Sequence, residues 1–241
     1  MYAEKSAVQK PPCKYLDIIT ALFSVILVTS NIASSAKIVG LQFSVFNIHL
    51  AFDGGTLLFP LSYVLGDILT EVYGFRAARR VIWTGFACLA LSALMFFALE
   101  RLPPSPVWES YAGSNAYNAI LGGMSSGGIV LASLAAYLVG EFSNSIIHSR
   151  MKVIFKGRLL WVRTIGSSIA GEFLDSLVFV GIAVLLGIFA SELFLSLVLT
   201  NYLLKLSLEV VLTPATYLSV GFLKKAEGID VYDEGIKYRV F

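Results

Sequence analysis

Three pairs of polar side chains stand inside stretches that are otherwise small or apolar: Asp67 with Glu71, Glu141 with Asn144, and Glu172 with Asp175. Each spacing, three or four residues, places both members on one face of a helix. Lys205 and Glu209 form a fourth such pair. An ionised carboxylate has two acceptor oxygens and no hydrogen of its own. Six acids facing one lysine cannot be satisfied by pairing among themselves. The complement they imply is a cation, or a molecule rich in N–H donors.

The elements that carry these acids must be membrane helices. Of 241 residues, 57% are hydrophobic and only 14% charged, with a mean hydropathy of +0.79, whereas soluble domains carry about 25% charged residues. A net charge of +2 gives no basic face for nucleic acid. Cys13 and Cys88 are far apart and suggest neither a disulfide framework nor a metal site. The sequence has no phosphate-binding glycine loop and no His/Cys metal cluster, so no ATPase or metalloenzyme chemistry and no cofactor is expected.

A spanning helix needs about 20 mostly apolar residues, and six runs qualify: 15–34, 55–75, 80–99, 125–148, 163–189 and 193–221. The first is read as a retained helix rather than a signal peptide. This leaves tails at 1–14 and 224–241 around a six-helix transmembrane domain, 15–223. "KIVGLQFSVFNIHLAFDGG" predicts a short hairpin or a re-entrant cap. "RLPPSPVWESYAGSN" predicts a plain loop. With the N-terminus inside, the inner segments hold 15 of the 18 Lys and Arg. The outer ones hold only Lys37 and Arg101, so both termini are expected in the cytoplasm.

That orientation puts the acids at one depth. Asp67 lies nine residues before Arg76, Glu141 nine before Arg150, and Glu172 nine after Arg163. At 1.5 Å per residue each is about 13–14 Å from the cytoplasmic end of its span. A charge at a helix centre costs about 2.5–3.5 kcal/mol. Six facing lipid would cost on the order of 15 kcal/mol, more than a typical domain's stability. They are therefore expected to face an enclosed cavity. A guanine-like edge with neighbouring N–H groups, or a primary ammonium, suits such a site, and Phe59, Tyr63, Tyr73, Phe142, Phe173 and Phe179, near the acids in sequence, are of a type that stacks on a planar ring.

Other signals are weaker. "GGMSSGG" (122–128) opens the fourth span in this reading and suits close helix packing. Ser125 and His148 lie roughly 30 Å apart along that helix, too far for a catalytic pair. His49, in the outer segment, could cap the site. Pro60 and Pro214 fall inside spans, where they would kink a helix. The matching segments Glu141-Phe142-Ser143-Asn144-Ser145 and Glu172-Phe173-Leu174-Asp175-Ser176 read as two walls of one site.

"FPLSYVLGDILTEVYGFRAARRVIW" (59–83), "LVGEFSNSII" (138–147), "RTIGSSIAGEFLDSLVFVGIA" (163–183) and "YLLKLSLEVVLTPATY" (202–217) resemble the queuosine-precursor transporters, a vitamin-uptake-type family of six-helix inner-membrane proteins. The resemblance runs from "SNIASSAK" onward. It implies uptake of 7-cyano- or 7-aminomethyl-7-deazaguanine for salvage into tRNA. It also implies an all-α fold similar to the substrate-binding subunits of energy-coupling-factor transporters. The positions that would carry the site are Asn31, Asp67, Glu71, Glu141, Asn144, Glu172, Asp175 and Lys205. One of Glu141 and Glu172 would hold the amine edge of the base, and Asp175 or Asp67 the substituent at the 7-position. A capture subunit serving a separate ATP-driven module is the competing expectation. "DIITALFSVILV" shows no convincing small-residue docking stripe, which favours a self-sufficient carrier. An enzyme is not expected, because the carboxylates have no nucleophile or metal beside them.

Overall fold

A computed structural model describes residues 13–45 and 48–241. The expected N-terminal tail lies mostly outside these residues. The order is α1 (Leu16–Ala36), a hairpin of β1 (Ile38–Val45) and β2 (Ile48–Asp53), α2 (Phe59–Tyr73), α3 (Phe75–Glu100), α4 (Pro106–Tyr111), α5 (Gly113–Ser125), α6 (Gly127–Ile154), α7 (Leu160–Leu185) and α8 (Phe194–Glu227). Six segments are long and apolar enough to cross a membrane: Leu16–Ser34, Gly54–Tyr73, Phe75–Glu100, Gly127–Ile154, Leu160–Leu185 and Ser191–Glu227. The molecule is thus an all-α, six-span membrane protein with one short extramembrane hairpin.

That hairpin is antiparallel, pairing Ile38 with Asp53 and Val45 with Ile48. It returns the chain to the end of α1, where a Cβ on Gly54 would sit 2.8 Å from the Ala33 carbonyl oxygen. His49 lies on β2; its side chain falls outside the described residues.

Three readings of the sequence need correction. Pro60 does not kink a span; it sits in the first turn of α2, where no helical N–H is required. The expected plain loop after α3 contains α4 and the start of α5. Pro106 opens α4 after the extended Ser105, and Gly113, at φ +76°, resets the chain into α5. "GGMSSGG" mostly ends α5 rather than opening a span, and Ser126 is the extended break before α6. The Tyr117 hydroxyl donates to the Phe96 carbonyl oxygen at 2.9 Å, holding α5 against α3. Burial of that phenol raises its pKa above the ordinary value.

Helix α2 is the most enclosed of the six spans. Leu69, Val72, Phe75 and Ile82 pack with Phe23 and Leu27 in the apolar core. Leu22, Val25, Leu91, Leu94, Leu203 and Leu218 point outward and are exposed, as lipid-facing residues should be. Gly74 separates α2 from α3 at φ +81°. A Cβ there would meet Val231 at 2.6 Å, so the turn needs glycine for both its conformation and its space.

After α8 the chain crosses the end of the bundle where α2 meets α3. The Asp233 carboxylate accepts from the Phe75 amide at 2.8 Å and from the Ser149 hydroxyl at 2.6 Å. The Trp83 indole N–H donates to the Val240 carbonyl at 2.9 Å. Glu227 accepts from the amides of Lys14 and Tyr15 and from the Tyr73 hydroxyl, tying the end of α8 to the start of α1.

Candidate functional site

Polar side chains rise through the bundle at steps of three or four residues. On α2 the ladder is Tyr63, Asp67 and Glu71; on α6 it is Glu141, Asn144, His148 and Lys152; on α7, Ser168, Glu172 and Ser176; on α8, Lys205 and Glu209. All are buried.

The backbone brings α6 and α7 together at Gly140 and Gly171. A Cβ on Gly140 would lie 2.8 Å from Asp175 Cβ and 3.1 Å from the Gly171 carbonyl oxygen. A Cβ on Gly171 would lie 2.8 Å from Asn144 Cβ and 3.0 Å from the Gly140 carbonyl oxygen. The neighbouring residues, Glu141 and Glu172, are thereby held in one layer. Gly66 makes room on α2, since a Cβ there would meet Glu141 Oε2 at 2.9 Å. These close approaches bring α2, α6 and α7 together at the level of Glu141 and Glu172.

Two polar regions result. Towards the tail, Glu71 is enclosed by cations: Arg163 Nη2 at 2.9 Å, Lys224 Nζ at 2.6 Å, His148 Nε2 at 3.1 Å and Lys152 Nζ at 3.7 Å. Lys152 also donates to the Glu71 carbonyl, to Asp230 and to the Val231 carbonyl. His148 connects this cluster to the next turn, its Nδ1 lying 3.3 Å from Asp67 Oδ1. Charges of both signs meet here with short contacts, although Nε and Nη1 of Arg163 find no partner.

The second region, one turn further from the tail, is satisfied only in part. Asp67 Oδ1 accepts from Asn144 Nδ2 at 2.9 Å. Lys205 Nζ donates to Asp175 Oδ2 at 2.5 Å, and the same ammonium stands 4.8 Å from the Phe59 ring centroid. Ser168 donates to Glu209 Oε1. Among the described residues, eight buried oxygens find no hydrogen-bond partner: both of Glu141, both of Glu172, Asp67 Oδ2, Glu209 Oε2, Tyr63 OH and Ser176 Oγ. A buried carboxylate without partners is costly, and native structures leave few such groups unmatched. These eight oxygens are concentrated in one layer of the bundle.

Of the expected site residues, Asp67, Glu141, Asn144, Glu172, Asp175 and Lys205 line this layer. Glu71 lies one turn below, within the cationic cluster. Asn31 is buried on α1; its amide nitrogen donates to the Leu27 carbonyl at 2.9 Å and its oxygen accepts from Ser133 at 2.5 Å, joining α1 to α6. Ser168 and Ser176, each four residues from Glu172, are further polar residues of the layer that the sequence reading does not name. The expectation that the acids lack basic partners apart from one lysine does not hold for Glu71, because Lys152, Arg163 and Lys224, placed by their sequence positions at span ends, reach inward.

Six spans closed around a layer of buried acids define an integral membrane protein. A family model described as a putative vitamin uptake transporter matches residues 53–219. The chain is 26% identical over 164 residues to the probable queuosine precursor transporter of Bacillus subtilis (strain 168), covering 68% of this chain and 69% of that protein. It is 24% identical over 193 residues to the queuosine precursor transporter of Escherichia coli (strain K12), covering 79% and 80%. The probable queuosine precursor transporter of Haemophilus influenzae is 24% identical over 165 residues, 68% of this chain and 66% of that protein. No solved structure matches. This chain belongs to the putative vitamin uptake transporter family. It is therefore a transporter and not an enzyme.

Proposed function

We propose that this protein imports 7-deazaguanine precursors of queuosine, in the 7-cyano or 7-aminomethyl form, for salvage into tRNA. The observation that carries the reading is the layer of eight unpartnered buried oxygens, six of them carboxylate oxygens. A deazaguanine presents its ring N–H and exocyclic amine side by side, a bidentate match for a carboxylate. The names of the three relatives support the same substrate class.

Glu172 or Glu141 takes the amine edge, and Asp175 or Asp67 the substituent at the 7-position. Asn144 and Lys205 hold Asp67 and Asp175 in place. Glu71, surrounded by cations, anchors the charged cluster below the site, and Asn31 fixes α1 against α6. The excess of Lys and Arg near the tail end favours an inner-membrane location with both termini in the cytoplasm. The carrier works without a separate ATP-driven module.

Replacing Glu172 by Gln and measuring precursor-dependent queuosine in tRNA tests the reading. Salvage at limiting precursor should fall at least tenfold; unchanged salvage would remove Glu172 from the site. Uptake by the purified protein alone in liposomes tests its independence from a partner module.

A further inference from the structure

Tyr63 lies outside the set of residues assigned to the base above, yet it is 3% exposed and its hydroxyl has no hydrogen-bond partner. The seam between α2 and α6 fixes where that hydroxyl stands. A Cβ on Gly140 of α6 would lie 2.5 Å from the Tyr63 phenolic oxygen, and a Cβ on Gly66 of α2 would lie 2.9 Å from Glu141 Oε2. Each side chain thus reaches across to a glycine of the other helix. The tyrosine covers Gly140, the residue before Glu141, and the glutamate covers Gly66, three residues after Tyr63. A donor and an acceptor are held in one seam, and they are not bonded to each other.

Of the layer's other unpartnered oxygens, all but Ser176 Oγ belong to carboxylates. An ionised carboxylate only accepts, so a hydroxyl is what can serve an acceptor on a ligand. A helical serine can turn its hydroxyl to the carbonyl one turn back, as Ser24, Ser30 and Ser92 do. A phenol at the end of a rigid ring has no such local acceptor, and leaving it unpaired in a dry site is costly. Lys205 is engaged elsewhere, on Asp175 Oδ2 at 2.5 Å.

We propose that Tyr63 donates its phenolic hydrogen to the ring carbonyl of the base, while Glu141 beside it accepts from the adjoining ring N–H and exocyclic amine. A guanine-type edge runs acceptor, donor, donor. A hydroxyl next to a carboxylate runs donor, acceptor, acceptor, so the α2–α6 seam matches that edge in order. Tyr63 then acts through its hydroxyl rather than as a stacking face. Glu172 is left for the remaining donors of the base.

The inference rests on the reading of this layer as the base site, and one experiment separates the two. Detergent-purified wild-type protein and Tyr63→Phe are titrated with 7-cyano-7-deazaguanine and with its 6-thioxo analogue, in which sulfur, a weaker acceptor, replaces the carbonyl oxygen. The wild type should bind the oxo base about tenfold more tightly than the thioxo base. Tyr63→Phe removes only an unpartnered hydroxyl, so its Tm should hold. It should bind the oxo base about tenfold more weakly than the wild type and lose most of the preference for oxygen. No binding of either base by the wild type would reject the base site itself. Saturable wild-type binding with no preference for oxygen would overturn the carbonyl contact while leaving the site intact, whether or not the variant folds. A folded Tyr63→Phe protein with wild-type affinity, or with weakened binding that keeps the full preference, would overturn the role of Tyr63.

Discussion

Gly140 on α6 and Gly171 on α7 stand face to face, each so close that an added Cβ would come within 3.1 Å of the other's carbonyl oxygen. Each is followed directly by a glutamate, and both glutamates are 0% exposed with no partner for either oxygen. The repeated Gly-Glu-Phe is therefore a packing device and, in the proposed function, a binding device as well. The glycines set the approach of the helices, and that approach puts the two acids in one layer.

Alanine at Gly171 should force α6 and α7 apart, because its Cβ would meet Asn144 at 2.8 Å and the Gly140 carbonyl at 3.0 Å. Overpacking of this kind costs about 1–3 kcal/mol. A lowered Tm in detergent, together with loss of precursor uptake, is the expected pair of results. A change in uptake without a change in Tm would mean that the helices accommodate the methyl group.

Glu71→Gln and Glu172→Gln should behave oppositely. The first removes the anion from among Arg163, Lys224, His148 and Lys152, and leaving buried charges unpaired costs about 3–5 kcal/mol. The second removes a carboxylate that has no partner, so stability should hold or rise while binding is lost. Thermal unfolding of the two purified variants checks both directions.

Lys205 and Asp175 are 2.5 Å apart and nearly enclosed. Lys205→Met should destabilise the protein by about 3–5 kcal/mol by stranding Asp175. Adding Asp175→Asn should recover most of that loss. The double-mutant cycle measures the coupling, and purely additive effects would argue against a buried pair.

Asp233 is the main polar tie between the tail and the bundle, holding the Phe75 amide and the Ser149 hydroxyl. Asp233→Ala leaves the Phe75 amide unsatisfied, while Ser149 keeps the Tyr238 hydroxyl at 3.0 Å, so the cost is about 1–3 kcal/mol. Faster proteolysis or hydrogen exchange in residues 229–241 should accompany the loss.

Much of this was legible in the sequence because the membrane enforces simple rules. Six apolar runs gave six spans, and the positions of Asp67, Glu141 and Glu172 gave a common depth. The period-two pattern of 38–53 gave a hairpin, one of the two alternatives open to it. Pro60 misled because a proline in a first turn and one in mid-helix look alike until the start of the helix is known. α4 and α5 were hidden in a Pro- and Ser-rich stretch whose residues open and break helices as readily as they form loops. The cluster around Glu71 was missed for a different reason. Lys152, Arg163 and Lys224 sit where basic residues usually meet lipid headgroups, and only the packed bundle shows them turned inward on one carboxylate. The tail's crossing of the bundle depends on contacts more than 150 residues apart in sequence, as between Phe75 and Asp233, which no local pattern encodes.

The central claim is that the acidic layer binds a donor-rich planar base. Direct binding of 7-cyano-7-deazaguanine, 7-aminomethyl-7-deazaguanine, guanine and queuine to the detergent-purified protein tests it, with Glu141→Gln and Glu172→Gln alongside. Saturable binding of the two precursors, weakened at least tenfold in one or both variants that keep their Tm, is the predicted result. Precursor binding at wild-type strength in both folded variants would contradict the account.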